Sequence, residues 1–143
     1  MNVRGLLQHK GNKVFTVHST STVATALELM KLHNVGALVV SDDERTLLGL
    51  YSERDVVRDL TRFGDDLLKT QVHEVMQHSP KTCAPTDQID ELMRMMTHFR
   101  ARHVAVIDSG ELKGLLSVGD VVKHRLAELE TETEVLRDRL AGR

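Results

Sequence analysis

Apolar positions along the chain change period in the same order twice, which predicts two copies of one structural unit. Residues 14–60 and 80–126 each open with a short extended segment, followed by a stretch in which apolar residues recur every three or four positions, as in an amphipathic helix. Next come the β-branched and aliphatic runs 37–40 and 104–107, which are too short for helices and are typical of buried strands. A turn, a second apolar strand and a second helix complete each copy. The predicted unit is therefore β-α-β-β-α.

The register of the two copies is nearly constant. Val23 and Ile89, at the start of the first helix of each copy, are 66 positions apart, whereas Gly49 and Gly114 are 65 positions apart. The two glycines stand in the second of two apolar runs separated by a polar turn, which is the pattern of a β-hairpin. The first hairpin is therefore one residue longer than the second.

Residues that favour helix ends frame these elements. Ser21 and Asp87 precede the first helix of each copy, and we expect them to be the N-caps, because their side-chain oxygens can accept hydrogen bonds from free backbone N–H groups. A short helix is predicted over residues 4–9. Residues 61–79 have no strand pattern and are predicted to be a connector, with a short helix around residues 71–76.

The predicted fold class is α+β. Each β-α-β-β-α unit has one small sheet and two helices, which is too little to bury its apolar faces alone. We therefore expect the two units to pack against each other about a pseudo-twofold axis, with an extended C-terminal helix. The chain divides into residues 1–79, with the N-terminal segment, the first motif and the connector, and residues 80–143, with the second motif and the last helix.

A stripe of mainly apolar positions, alternately four and three residues apart, continues through the last predicted helix. The stripe consists of Val122, Leu126, Leu129, Thr133, Leu136 and Leu140. Such a stripe would be exposed on a monomer, so we expect the helix to brace a homodimer. The alternative is a tail that folds back onto its own chain.

Composition narrows the range of partners. The chain has 143 residues, of which 41% are hydrophobic, and this is enough for a sizeable core. A net charge of −2 provides no broad positive field, which argues against nucleic acid or an anionic membrane as a partner. No stretch approaches the ~20 apolar residues of a membrane span. With Cys83 as its single cysteine, the chain is expected to be cytoplasmic.

The sequence contains none of the common catalytic or metal-binding motifs. It has no Gly-x-Ser-x-Gly elbow, no phosphate loop ending in Gly-Lys-Ser/Thr and no Gly-x-Gly-x-x-Gly. His73 and His78 are five positions apart, which does not place two imidazoles on one helix face. We therefore expect no enzymatic activity, no catalytic cofactor and no metal site.

A hydroxyl residue stands where each second hairpin strand passes into a helix, and an aspartate follows three residues later. The pairs are Ser52 with Asp55 and Ser117 with Asp120. The free N–H groups and the dipole of a helix N-terminus favour a phosphate, and an aspartate one turn along can accept hydrogen bonds from both hydroxyls of a ribose. A sugar phosphate is therefore a candidate ligand. The alternative is that both aspartates only complement the helix dipole.

The heptapeptides that contain these pairs resemble the hallmark of CBS domains. They read Gly-Leu-Tyr-Ser-Glu-Arg-Asp at residues 49–55 and Gly-Leu-Leu-Ser-Val-Gly-Asp at residues 114–120. The resemblance covers nearly the whole chain and extends to small stand-alone bacterial CBS-pair proteins. It implies a non-catalytic Bateman module that binds adenosine-containing ligands in clefts between its repeats, with AMP as the first choice and ADP, ATP, NADH and S-adenosylmethionine as related ligands. The alternative is a protein-interaction or dimerisation module with empty clefts.

Carried over by position, the resemblance implies two unequal clefts. The first consists of Lys13, Val14, Phe15, Val35, Gly36 and Ala37 around the base, with Ser117 and Asp120 for phosphate and ribose. The second consists of Pro80, Lys81, Thr82, Ala101, Arg102 and His103 around the base, with Ser52, Arg54 and Asp55. Which cleft is occupied stays open, and His103 is a candidate for either phosphate contact or packing. Gly119 stands where the second cleft has Arg54, so a phosphate in the first cleft needs a cation from elsewhere.

Overall fold

A computed structural model describes residues 1–142 and contains the predicted β-α-β-β-α unit twice. In chain order the elements are α1 (Val3–Lys10), β1 (Thr16–Val17), α2 (Val23–His33), β2 (Ala37–Val40), β3 (Gly49–Ser52), α3 (Glu53–Phe63), α4 (Val72–Val75), β4 (Thr82–Cys83), α5 (Ile89–Phe99), β5 (His103–Asp108), β6 (Glu111–Ser117) and α6 (Val118–Leu140). A 3-10 helix over Gly64–Lys69 lies between α3 and α4. The α+β fold class and the short helices at both predicted places are confirmed, whereas the 3-10 helix was not predicted.

Each repeat folds around a mixed sheet of three strands. The strand orders are β1-β2-β3 and β4-β5-β6, and in both sheets the first pair is parallel and the second antiparallel. The predicted hairpins are therefore confirmed. The opening extended segments were predicted over residues 14–17 and 81–84, but only Thr16–Val17 and Thr82–Cys83 pair with a neighbour. The second hairpin extends to a tight turn at Ser109 and Gly110, whose φ values of 53° and 79° suit a two-residue loop.

The predicted helix N-caps were wrong by one residue. Thr22 and Gln88 are the N-caps of α2 and α5. The carboxylate of Asp87 instead accepts a hydrogen bond from the backbone N–H of Ala84, which closes the turn before α5. The carbonyl oxygen of Ser21 accepts a hydrogen bond from the first residue of α4. Contacts between segments distant in sequence thus help to fix where each helix begins, and the local pattern does not contain them.

The helix that precedes each repeat packs into the core of the other repeat. α1 contributes to the second core and α4 to the first. The backbone N–H of Val3 donates to the carbonyl oxygen of Asp87 at 2.9 Å, and the N–H of Val72 donates to that of Ser21 at 2.8 Å. Both valines have no exposed surface. This exchange ties the two halves of the chain together and brings the end of α1 to the strand-helix junction of the second repeat.

Two glycines in the hairpins allow this exchange. A Cβ atom on Gly114 would lie 2.7 Å from Cδ2 of Leu7 on α1, and one on Gly49 would lie 2.6 Å from both the carbonyl oxygen of Gln77 and Sδ of Met76. These distances are shorter than carbon contacts in packed proteins. In both repeats, therefore, a glycine allows another segment to approach the hairpin closely.

The core is mainly aliphatic, because the chain has only three Phe, one Tyr and no Trp. Tyr51 is the aromatic side chain that is fully buried. Met30 and Met96 are buried on the inner faces of α2 and α5. Cys83 also lies in the second core, and burial, assisted by the charge of Asp87, raises the pKa of its thiol to about 12. A thiol with such a pKa stays protonated near neutral pH, which suits packing rather than redox chemistry.

The last helix, α6, is continuous over 23 residues. From residue 129 to residue 140 every side chain is exposed, so the helix extends away from the body rather than folding back onto it. Within residues 1–142, no helix is both long and apolar enough to cross a membrane.

Candidate functional site

Both strand-helix junctions form capping boxes. The hydroxyl of Ser117 accepts from the backbone N–H of Asp120 at 3.1 Å, and the Asp120 carboxylate accepts from the N–H of Ser117 at 2.8 Å. Ser52 and Asp55 make the same reciprocal pair. The structural role of the two aspartates is therefore real, and each box satisfies two N–H groups at a helix start. A ligand at either junction would have to share the carboxylate with this box.

The first predicted cleft is a cavity of about 370 Å³ between the two repeats. All of its predicted residues line it, namely Lys13, Val14, Phe15, Val35, Gly36, Ala37, Ser117 and Asp120. The lining also contains Lys10, Asn34, His103 and Leu115. The opening segment of the first repeat thus faces the N-terminus of α6 across one cavity.

The second predicted cleft is a cavity of about 510 Å³. Its lining contains Ser52, Arg54, Asp55, Pro80, Lys81, Ala101, Arg102 and His103 from the prediction, and also Glu53, Gln77, Phe99 and Arg100. Thr82 does not line it. That residue pairs with Ala105 in the parallel ladder of β4, and its side chain is exposed. Its placement around the base was therefore not reproduced by the structure.

The two clefts share a wall. Gly36, Ala37 and His103 line both cavities. The carbonyl oxygen of Gly36 accepts from the backbone N–H of Glu53 at 3.0 Å, and the equivalent carbonyl of Arg102 accepts from the first residue of α6 at 2.9 Å. The strand entrances are thus fixed to the helix starts by matching hydrogen bonds.

The two aspartates differ in how fully their oxygens are used. Asp55 is 5% exposed, and its Oδ2 accepts from Ser52 and from Nε2 of Gln77 at 3.0 Å. Its Oδ1 lies 3.2 Å from Nη1 of Arg58, which also bonds to the buried Asp59 through Nε at 3.2 Å. Both carboxylate oxygens of Asp55 therefore have partners. The i,i+3 spacing from Asp55 to Arg58 on one helix is a signal in the sequence for this ion pair.

Asp120 is held by a residue that the sequence analysis missed. Nζ of Lys10, the last residue of α1, lies 2.6 Å from Oδ2 of Asp120 and also donates to the carbonyl oxygen of Leu115. Burial opposes ionisation of Asp120, but the hydrogen bonds from Lys10 and Ser117 outweigh it, so the pKa of the carboxyl lies below its usual value. Lys10 thus supplies the cation that the first cleft lacks at Gly119. Lys10 and Asp120 are 110 positions apart in the sequence, so no local pattern links them.

His103 stands between the two clefts. Burial lowers the pKa of its imidazole, and the charge of Lys10 adds to this effect. Asp120 and Asp55 act in the opposite direction, and Arg102 lowers the pKa further. The ring is therefore neutral near pH 7 in this arrangement.

Two β-α-β-β-α repeats with exchanged helices and a Ser-x-x-Asp junction at each interface define a paired module with two clefts between its halves. The family model for the CBS domain matches the chain twice, at residues 9–62 and 72–127. The chain belongs to the CBS domain family, and its two repeats form a CBS pair, as the sequence predicts.

Three related proteins place this pair among known ones. A mitochondrial CBS domain-containing protein of Arabidopsis thaliana is 34% identical over 85% of this chain, which spans 61% of that protein. The crystal structure of a CBS-domain containing protein from Agrobacterium tumefaciens is 37% identical, with a TM-score of 0.84 over 87% of this chain and 99% of that one. A CBS domain protein from Pyrobaculum aerophilum, solved in complex with AMP, is 26% identical, with a TM-score of 0.78 over 93% of this chain and 99% of that one.

Proposed function

We propose that this CBS pair is a non-catalytic regulatory module that senses an adenosine-containing ligand in the clefts between its repeats. The single observation that carries the proposal is that every residue predicted for the first cleft lines one cavity at a helix N-terminus. AMP is the ligand to test first, because the similar Pyrobaculum protein was solved with it. ADP, ATP, NADH and S-adenosylmethionine share the adenosine group and are the related candidates.

In the first cleft the ligand would use three kinds of contact. The adenine would lie between the backbone of residues 13–15 and that of residues 35–37. The phosphate would bind at the start of α6, where the hydroxyl of Ser117 meets the positive end of the helix dipole. The ribose would reach Asp120, whose Oδ2 serves Ser117 and Lys10 while Oδ1 has no hydrogen-bond partner within residues 1–142.

Regulation would follow from the position of the clefts between repeats. A ligand that touches the opening segment of one repeat and the helix start of the other favours one relative orientation of the two, and a partner reads the shift in population. The partner is expected to be an enzyme or transporter in the cytoplasm, the compartment expected for the chain.

The module would act as a homodimer. Val122, Leu126, Leu129, Leu136 and Leu140 on α6 are between 43% and 81% exposed, which is unusual for a contiguous helical stripe. A second copy covering this stripe would bury it. Light scattering on Leu126→Glu/Leu129→Glu should report half the mass of the parent protein. An unchanged mass would place the dimer contact elsewhere, and a monomeric parent would exclude the dimer.

Thermal unfolding with AMP tests the proposed ligand. At a hundredfold excess over the dissociation constant, binding stabilises the folded state by about 2.7 kcal/mol. Asp120→Asn should reduce this stabilisation while preserving an acceptor for the N–H of Ser117, which an alanine would remove. Asp66→Asn, in the exposed 3-10 helix, is the matched control and should respond as the parent does.

Native mass spectrometry, together with thermal unfolding, distinguishes ligand sensing from the alternative function. Native mass spectrometry of the purified protein should show one or two retained nucleotides per chain, or their uptake when AMP is added. If no adenosine compound shifts the melting temperature or the mass, the sensing proposal fails. A protein-interaction module with empty clefts would then be favoured.

A further inference from the structure

The two clefts differ in the number of their cations. The second cleft is lined by Arg54, Lys81, Arg100 and Arg102, against the carboxylates of Glu53 and Asp55. The first cleft is lined by Lys10 and Lys13, against the single carboxylate of Asp120. A ligand that carries more negative charge is therefore attracted more strongly to the second cleft.

The three arginines of the second cleft are less occupied than its lysine, because Nζ of Lys81 lies 3.8 Å from the centre of the Phe99 ring. Among residues 1–142, Arg54, Arg100 and Arg102 make no ion pair with a carboxylate. Asp55 is paired with Arg58, which lies outside the lining of the cavity, so it does not consume one of these three charges. Unpaired guanidinium groups can bind phosphate oxygens with two parallel hydrogen bonds each.

In the first cleft, by contrast, the cations already have partners. Nζ of Lys10 lies 2.6 Å from Asp120, and Nζ of Lys13 lies 5.2 Å from the centre of the Phe15 ring. A single phosphate can compete for Lys10 at the N-terminus of α6. Arg54, Arg100 and Arg102 do not line the first cleft itself.

The cavities next to the two clefts also differ in the charges that line them. The second cleft adjoins a cavity of about 640 Å³ that shares Arg54, Arg100 and Arg102 with it. This cavity also reaches residues 117–119 at the start of α6. The first cleft adjoins a groove of about 740 Å³ between α1 and α6. That groove has Lys10 and Lys123 against the three carboxylates of Asp120, Glu128 and Glu132, and an excess of one negative charge disfavours a longer phosphate chain.

The backbone conformation of Arg100 is a further sign that the second cleft has a special requirement. Arg100 ends α5 in the left-handed conformation, with φ at 53°, whereas the equivalent residue of the first repeat is Asn34, also at 53°. Asparagine tolerates this conformation better than a long side chain does. A costly residue at the wall of a cleft is a common mark of a functional requirement.

We infer that the second cleft takes a nucleoside di- or triphosphate, whereas the first cleft takes an adenosine ligand with one phosphate or none. The inference rests on the proposed function, because it assigns ligand classes to the same two clefts. It assigns Arg54, Arg100 and Arg102 as the residues that select for phosphate number.

Calorimetric titration with ATP and AMP, in buffer containing EDTA, tests the assignment. ATP should bind at least about tenfold more tightly to the second cleft than AMP does. AMP titrated into ATP-saturated protein should still bind at one equivalent per chain. The variant Arg54→Met/Arg102→Met should weaken ATP binding by about tenfold or more and leave this remaining AMP site within about twofold.

Two further variants make the result specific. Lys10→Met should weaken AMP binding to ATP-saturated protein and leave ATP binding unchanged. Arg94→Met, an exposed arginine on α5 that lines neither cleft, is the matched control and should bind both ligands as the parent does.

Three results would overturn the assignment. ATP and AMP could compete for one site, the double arginine variant could weaken both ligands equally, or ATP could bind no more tightly than AMP. The absence of any adenosine ligand on the parent protein is a separate result, because it removes the proposed function itself and the assignment with it.

Discussion

Arg100→Asn should stabilise the ligand-free protein. The substitution gives the second repeat the residue that the first repeat has at the same place, Asn34, and both residues end a helix with φ at 53°. The left-handed conformation costs a non-glycine residue about 1–2 kcal/mol, and asparagine recovers part of this cost through local hydrogen bonding. Because the side chain of Arg100 is exposed and makes no ion pair within residues 1–142, little is lost in exchange. We expect a gain of about 1 kcal/mol in the free energy of unfolding.

Urea denaturation and thermal unfolding of nucleotide-free protein measure this gain. For a chain of this size, 1 kcal/mol corresponds to a rise of about 4 °C in the melting temperature. The reciprocal variant Asn34→Arg should lower it by a similar amount, and Arg100→Lys, which keeps a long charged side chain in the same conformation, should leave it nearly unchanged. If Arg100→Asn fails to raise the melting temperature while Asn34→Arg lowers it, the strain at Arg100 is already relieved by contacts of its side chain, and the reasoning is refuted.

Three more variants probe other parts of the structure. As the pH is lowered from about 7.5 to about 5.5, His103→Asn should lose less stability than the parent protein. The pKa of His103 in the folded state lies below its unfolded value near 6.5, so the unfolded chain takes up the proton first and the parent becomes less stable as the pH falls. Parallel pH profiles of the two proteins would contradict this. Tyr51→Phe removes the hydroxyl that donates to buried Asp59 at 3.2 Å and should cost about 1 kcal/mol in urea denaturation, whereas no change would mean that water replaces it. Gly49→Ala places a Cβ 2.6 Å from the carbonyl oxygen of Gln77 and should cost roughly 1–3 kcal/mol; a neutral result would show that the connector can shift.

The repeated unit could be predicted from the sequence because hydrophobic period and length separate helices from strands directly. The starts of α2 and α5 were predicted one residue too early, because the side chain of Thr22 accepts from the N–H of Thr25 and caps α2, whereas Asp87 closes the turn before α5. The short opening strands reflect the same limit. A strand is defined by its partner, and β1 and β4 each pair over only two residues.

The residues of the candidate clefts also divide into those that the sequence could predict and those that it could not. Residues near a repeated motif, such as Ser117 and Asp120, are placed by the motif, and the structure brings them to one cavity with the opening segment of the other repeat. Lys10 could not be found in this way, because it reaches the first cleft only through the packing of α1 on the second repeat. Thr82 pairs with Ala105 and does not line the second cavity, so its contact with the base stays a prediction.

The unequal charge of the clefts follows from where each repeat carries its cation. In the second cleft Arg54 stands in the first turn of the helix whose start would bind phosphate, and the equivalent position of the first cleft is Gly119. The first cleft instead receives Lys10 from the exchanged helix α1, whereas the connector places the neutral Gln77 at the corresponding point of the second cleft, where its Nε2 donates to Oδ2 of Asp55. Arg54 makes no ion pair with Asp55, whereas Lys10 forms an ion pair with Asp120. A phosphate in the first cleft must therefore compete with Asp120 for its cation, so the two repeats share a fold while their clefts present different binding equilibria.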